Sequence, residues 1–117
     1  FVTGSMPEEE YQKLLIDQAI MECMTNCARH AGGTRVFVKI TNNKVLCKVQ
    51  ITNNGKKPAE GSQEGGGLTS LRKTVEREGG KMQVIFSPEF ELILLLSHEK
   101  DREIKSSEEV TVKIRNS

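Results

Sequence analysis

Two glycine pairs punctuate this chain, and each stands where the apolar period changes. Before Gly32-Gly33, the residues Ile16, Ile20, Cys23, Met24, Cys27 and Ala31 recur at helical spacing; after it, Val36, Val38 and Ile40 alternate. Before Gly79-Gly80, the residues Leu68, Leu71 and Val75 are again spaced as on a helix, and Met82, Val84 and Phe86 alternate after it. A glycine pair just past the last periodic residue ends a helix, and alternation marks a strand with one face buried. Pro7 followed by Glu8, Glu9 and Glu10 predicts the start of the first helix, since proline suits a first turn and carboxylates suit the positive end of the helix dipole.

Each strand has a partner close by. Asn42-Asn43 turns the chain into Val45, Cys47, Val49 and Ile51, a β-hairpin with one apolar face. Ser87-Pro88-Glu89 turns it into Phe90, Leu92, Leu94 and Leu96, where Ile93 and Leu95 are apolar too, which predicts a central strand covered on both faces. The order helix, hairpin, helix, hairpin predicts an α+β fold. It is a two-layer α/β sandwich, with helices packed on one face of a mixed, mostly antiparallel sheet.

With 117 residues the chain can bury one core but not two. Residues 1–6, which contain Gly4-Ser5-Met6, read as a cloning scar outside the fold; residues 7–98 form the domain. Residues 99–117 read as a charged tail, with a short extra strand in the alternation of Val110, Val112 and Ile114. The net charge is +1 with acids and bases interspersed, so neither a nucleic-acid surface nor a membrane surface is expected. Trp is absent and aromatics are scarce, which argues against stacking platforms for single strands. The run Leu92 to Leu96 is far too short to cross a bilayer. Cys23, Cys27 and Cys47 are odd in number and sit in apolar contexts, so buried free thiols of a reducing, cytoplasmic compartment explain them better than disulfides or a zinc site.

Two constellations could carry chemistry. Glu22, Asn26 and His30 lie four apart on one side of the first helix with Arg29 beside them. An amide oxygen can hold Mg²⁺, cationic groups can meet phosphate oxygens, and a carboxylate can orient or deprotonate a nucleophile; a solvated face of an amphipathic helix has the same appearance. The second constellation is Thr52-Asn53-Asn54-Gly55 followed by Gly65-Gly66-Gly67-Leu68. Glycines at a helix N-terminus leave backbone N–H groups open to a diphosphate or triphosphate, although an Asn-Gly turn and a flexible linker read equally well. No Walker-type loop occurs.

The order of these motifs carries a resemblance. The run Gln18 to Gly32, with Glu22, Asn26, His30 and Ala31, resembles the N box of the histidine-kinase-like (GHKL) ATPases. In particular it is similar to the E-x-x-x-N-x-x-x-H-A form of sensor kinases that pair with LuxR/NarL-type regulators. Thr34 to Ile40 is similar to the strand that follows it there. Asn53-Asn54-Gly55 stands in the place of the D-x-G box, and Gly65-Gly66-Gly67-Leu68-Thr69-Ser70-Leu71-Arg72 resembles G-x-G-L-x-x-M-R. The likeness extends from about Gln18 to Ser97.

The resemblance implies an ATP-binding, catalytic domain of a two-component sensor histidine kinase, using ATP and Mg²⁺. It would supply the γ-phosphoryl group to a His on a separate dimerisation domain, with the response regulator an indirect partner. On this reading Asn26 binds Mg²⁺, Glu22 positions the phosphoacceptor or accepts its proton, and Arg29 and His30 sit near the phosphates. Gly65, Gly66, Gly67 and Leu68 form the lid and its hinge; Asn53 contacts the adenine amine beside Gly55. The family pattern has Asp where Asn53 stands and a second glycine where Lys57 stands, which weakens the expected nucleotide contact. No helix bearing a phosphoacceptor precedes Pro7, so the chain is expected to be a fragment, inactive without its partner domain; the parent kinase can be membrane-anchored. The alternatives are a serine kinase of the anti-sigma-factor type and a degenerate, non-catalytic interaction domain.

Overall fold

The computed structural model describes residues 1–59, 61 and 64–98, without the side chain of His30. The extra strand expected around Val110 lies outside the described residues. The elements run β1 (Val2–Thr3), α1 (Glu10–Asn26) continued by a π-helical turn (Cys27–Ala31), β2 (Val36–Asn42), β3 (Leu46–Asn53), α2 (Gly66–Arg77), β4 (Lys81–Ile85) and β5 (Glu91–Ser97). They form the expected α+β fold, one mixed sheet in the order β1-β2-β3-β5-β4. Among the described strands only β1 pairs in parallel, Val2 opposite Val38; the remaining neighbours are antiparallel.

Both glycine pairs end helices as predicted. Gly32 and Gly79 have φ of 62° and 85°, left-handed values that a glycine adopts without a steric penalty. One face of the sheet supplies Val38, Ile40, Cys47, Val49, Ile51, Met82, Leu92, Leu94 and Leu96 to the core, against Leu68, Leu71 and Val75 of α2. All three cysteines are free and buried.

Four expectations need correction. Helix α1 begins at Glu10, not at Pro7, which is buried ahead of it. The core-facing side of α1 is Leu15, Ile16, Ala19, Cys23 and Cys27, with Ile20 only partly buried and Met24 51% exposed. Apolar residues surround most of this helix, so spacing alone could not choose the buried face. Strand β5 lies inside the sheet, but Ile93 and Leu95 are half-buried on a face that none of the described helices covers; their lateral neighbours are Gln50 and Gln83, Lys48 and Lys81. Finally, the segment set outside the fold pairs with it: the Phe1 carbonyl accepts from the Val38 N–H at 2.7 Å, and the Phe1 ring stacks on Phe37. The free edge of β2 offers backbone groups that any extended segment can pair with.

Candidate functional site

A cleft of about 420 Å³ opens where the C-terminal end of α1, the end of β3 and the N-terminus of α2 converge. Asn26, Asn53, Lys56 and Lys57 are its polar lining. Ala31, Pro58, Ala59, Leu68, Phe86 and Phe90 supply apolar walls, with Gly65 at the start of α2. Phe86 and Phe90 meet edge to face with centroids 5.9 Å apart. Apolar walls with a few convergent polar groups are the usual form of a small-molecule site.

One side of the cleft is stitched together by backbone. The Asn54 side-chain oxygen accepts from the Thr34 and Arg35 N–H groups, both at 2.9 Å, and the Asn54 N–H donates to the Arg35 carbonyl at 3.1 Å. The Lys56 N–H donates to the Ala31 carbonyl at 2.8 Å. Gly55 permits this approach, because a Cβ there would stand 2.4 Å from the Ala31 Cβ and 2.8 Å from the Ala31 oxygen. The widened turn Cys27–Ala31 thus serves as the platform on which the 53–56 loop rests; π-helical turns recur at functional sites. Within the loop, Asn53 Oδ1 accepts from the Gly55 N–H at 2.8 Å.

The other side is the start of α2. Gly65 is extended, and no side chain caps the helix. The first intrahelical bond is Thr69 N–H to the Gly65 carbonyl, so the N–H groups of Gly66, Gly67 and Leu68 have no intrahelical acceptor. Such a terminus favours an anion. The approach to it is held by Arg72, whose Nε donates to Glu64 at 2.9 Å while its guanidinium also reaches the Met82 carbonyl. Hydrogen bonding from Arg72 holds the Glu64 carboxyl below its ordinary range, against the opposing effect of burial.

The predicted site residues divide between two places. Asn26, Asn53, Gly65 and Leu68 meet in the cleft, with Gly55 immediately behind it. Glu22 and Gly67 do not line the cleft. They belong to a second groove of about 570 Å³ with Leu14, Met21, Ser70 and Thr74 between the two helices. A Cβ on Gly67 would lie 2.2 Å from a Glu22 carboxylate oxygen, so this glycine makes room for Glu22; its φ is not left-handed. A Cβ at Gly66 would meet nothing within 4 Å. Arg29 is exposed and outside the cleft lining, and the side chain of His30 lies outside the described residues. The helix widens to a π turn after Asn26, so spacing by fours no longer describes one line beyond it. Burial first, then Glu22 and Cys27, pushes the Cys23 thiol up to about 12, which keeps it protonated and unreactive.

Sequence reasoning missed Glu64, the stapling role of Asn54, and the Phe86–Phe90 pair. The aromatic pair had a signal, since both residues flank the Ser87-Pro88-Glu89 turn; Glu64 had none, being eight residues from Arg72.

No known protein-family profile matches the sequence. Solved structures do match. The ATP-binding domain of PrrB from Mycobacterium tuberculosis superposes with a TM-score of 0.59 at 22% identity, over 72% of this chain and 67% of that one. The Acinetobacter baumannii histidine kinase AdeS gives 0.60 at 14% identity, over 74% and 47%. The histidine kinase domain of a blue-light activated kinase from Erythrobacter litoralis gives 0.52 at 20% identity, over 70% and 42%. The fold is that of histidine-kinase ATP-binding domains. The chain spans less than half of the two longer kinase chains and about two thirds of the separate domain.

The residues of the cleft fit a metal that is held mainly by a ligand and not by the protein alone. Among the described residues no group of three or more His, Cys, Asp or Glu could hold a cation alone. Asn26, whose side chain carries one amide oxygen, lines the cleft. Mg²⁺ suits such a site, because it takes few protein oxygens and completes its shell with phosphates and water. No helix among the described residues is long and apolar enough to cross a membrane.

Proposed function

We propose that this chain is the ATP-binding, catalytic domain of a sensor histidine kinase in the GHKL superfamily, of the branch that pairs with LuxR/NarL-type regulators. The observation that carries the proposal is the convergence of Asn26, Asn53 and the uncapped start of α2 on one cleft. The fold, shared with histidine-kinase ATP-binding domains, and the motif order support it. The base lies among Phe86, Phe90 and Leu68. The phosphates extend toward Asn26, Lys56 and the free N–H groups of Gly66 to Leu68. Bound Mg²⁺ supplies charge compensation for the transferring γ-phosphoryl group.

The work of the chain itself is positioning. Asn26 gives the metal an oxygen ligand, and α2 directs its positive end at the phosphates. Glu22 stands in the neighbouring groove, between α1 and α2, where an incoming phosphoacceptor helix of the dimerisation domain can present its His to the carboxylate as proton acceptor. The rival reading, a degenerate interaction domain, has one observation in its favour: the Asn53 oxygen is already engaged by Gly55.

Titration calorimetry with ATP and ADP, with and without Mg²⁺, tests the proposal. Binding that strengthens with Mg²⁺, and loses that dependence in Asn26→Ala at an unchanged melting temperature, is the expected result. Absence of heat and of any thermal shift at millimolar nucleotide overturns the kinase reading in favour of the degenerate one.

A further inference from the structure

Residues 1–5 run along the edge of β2. The Phe1 nitrogen donates to the Val36 carbonyl at 2.9 Å, the Phe1 carbonyl accepts from the Val38 N–H, and Asn42 Nδ2 donates to the Ser5 carbonyl at 3.3 Å. The Phe1 ring lies parallel to that of Phe37, and the Arg35 guanidinium stands over the same ring, 5.5 Å from its centroid, a cation–π contact. Gly4 follows with φ of 88°, where a Cβ would collide with the Ile40 carbonyl oxygen, so the path along the edge requires glycine.

Arg35 is held at both ends. Its side chain meets the Phe1 ring, while its main chain ties down the nucleotide cleft. The Arg35 N–H donates to Asn54 Oδ1 at 2.9 Å, and its carbonyl accepts from the Asn54 N–H at 3.1 Å. Val36, which receives the Phe1 nitrogen, is registered opposite Asn53, and Asn53 lines the cleft. The 53–56 loop is therefore fixed only as firmly as the start of β2. Among the described strands β1 is the one neighbour on that side of β2. Its attachment is slight. Two residues pair, and Phe1 and Val2 stay exposed, the marks of a segment that opens at low cost.

We infer that residues 1–5 are a strap whose seating on the edge of β2 raises the affinity of the cleft for nucleotide. The inference rests on the nucleotide-binding proposal above and adds a point of control to it. With the strap seated, Arg35 and Val36 are held from outside and present Asn54 with a fixed donor and acceptor. With the strap lifted, the start of β2 keeps only its inner partner, and the loop bearing Asn53 and Lys56 loses its outer support. The strap is thus a two-state element whose equilibrium the cleft feels.

Amide hydrogen exchange read beside ATP calorimetry in Mg²⁺ tests the strap on the full chain. The Val38 N–H reports its seating, because the Phe1 carbonyl is its acceptor. Phe1→Ala removes the ring, and Gly4→Val bars the path. Each should speed exchange at Val38, Arg35 and Asn54 and weaken ATP binding about fivefold, a modest coupling. Phe1→Trp, which keeps an aromatic face for Arg35 and Phe37, should retain both parent values. Coupling is reciprocal, so saturating ATP should slow Val38 exchange in the unsubstituted protein by a similar factor, a measurement that needs no variant to fold. Faster Val38 exchange with unchanged ATP affinity, or Val38 exchange indifferent to bound ATP, overturns the coupling while the nucleotide site stands. Val38 exchange that neither Phe1→Ala nor Gly4→Val alters overturns it as well, since these contacts then do not hold the strap. Failure of ATP to bind the unsubstituted protein removes the site, and the coupling with it.

Discussion

The two walls of the cleft are held by different forces. The wall formed by the 53–56 loop is tied to the end of α1 and the start of β2 by main-chain groups and one asparagine amide, at 2.8–3.1 Å, over a glycine contact that admits no side chain. The wall leading into α2 depends on the ion pair of Glu64 with Arg72 and on a helix start without a cap. The first wall is independent of protonation and intolerant of added atoms. The second is open to added atoms and sensitive to acid. A site built this way has one wall of fixed geometry and one that answers to charge.

Substitutions should separate the walls. The largest effect is expected from Gly55→Ala, whose Cβ has no room beside Ala31. Overpacking against backbone should destabilise the domain by about 1–3 kcal/mol, read by denaturant unfolding, and should abolish nucleotide binding. A melting temperature unchanged from the parent would show that the loop can move away and would break the contrast.

Asn54→Ala should follow, at about 1–2 kcal/mol. It strands the N–H groups of Thr34 and Arg35, which are solvated in part. Asn54→Asp, which keeps the acceptor, should restore most of the loss in the same unfolding measurement.

Acid should act on the opposite wall. Arg72 holds the Glu64 carboxyl below its ordinary value, so the pair contributes fully at pH above about 4.3, the unfolded value for Glu. Its contribution fades as pH falls through the lower, folded value. Glu64→Gln should therefore be less stable than the parent at pH 7 by on the order of 1 kcal/mol or less. That gap should close in acid. A gap that persists or widens below that range would remove Glu64 from the role of anchor.

The smallest effect is expected at Gly65. Open space surrounds its Cβ position and α2 lacks a side-chain cap. Gly65→Ser should stabilise the helix by a few tenths of a kcal/mol, as a serine N-cap exceeds glycine by that amount. A hydroxyl there would also compete with a phosphate for the same N–H groups, so a slightly weaker ADP affinity beside a slightly higher melting temperature would sharpen the comparison.

Much of this molecule was legible before its fold was described. The helix of Leu68, Leu71 and Val75, the hairpin through Asn43 and both glycine stops follow from period and turn chemistry, which are local properties of backbone and solvent. The motif order also brought Asn26, Asn53, Gly65 and Leu68 into one expected site, where the cleft has them. Less was legible where several answers satisfy the same pattern. Helix α1 is apolar on more than one side, and only the sheet beneath it selects Leu15 and Ala19 for burial while leaving Leu14 and Met21 exposed. Arg29, expected beside the line of Glu22, Asn26 and His30, follows the π turn and is exposed outside the cleft lining.

What the sequence determined by itself is the set of elements and the residue types offered to the site, because both depend on neighbours a few positions away. The tertiary structure alone decided which of those residues meet in the cleft and which hydrogen bonds they make there. Asn53 is an amide with an acceptor end and a donor end. The Gly55 N–H donates to that acceptor, a contact set by the close seating of the loop on Ala31.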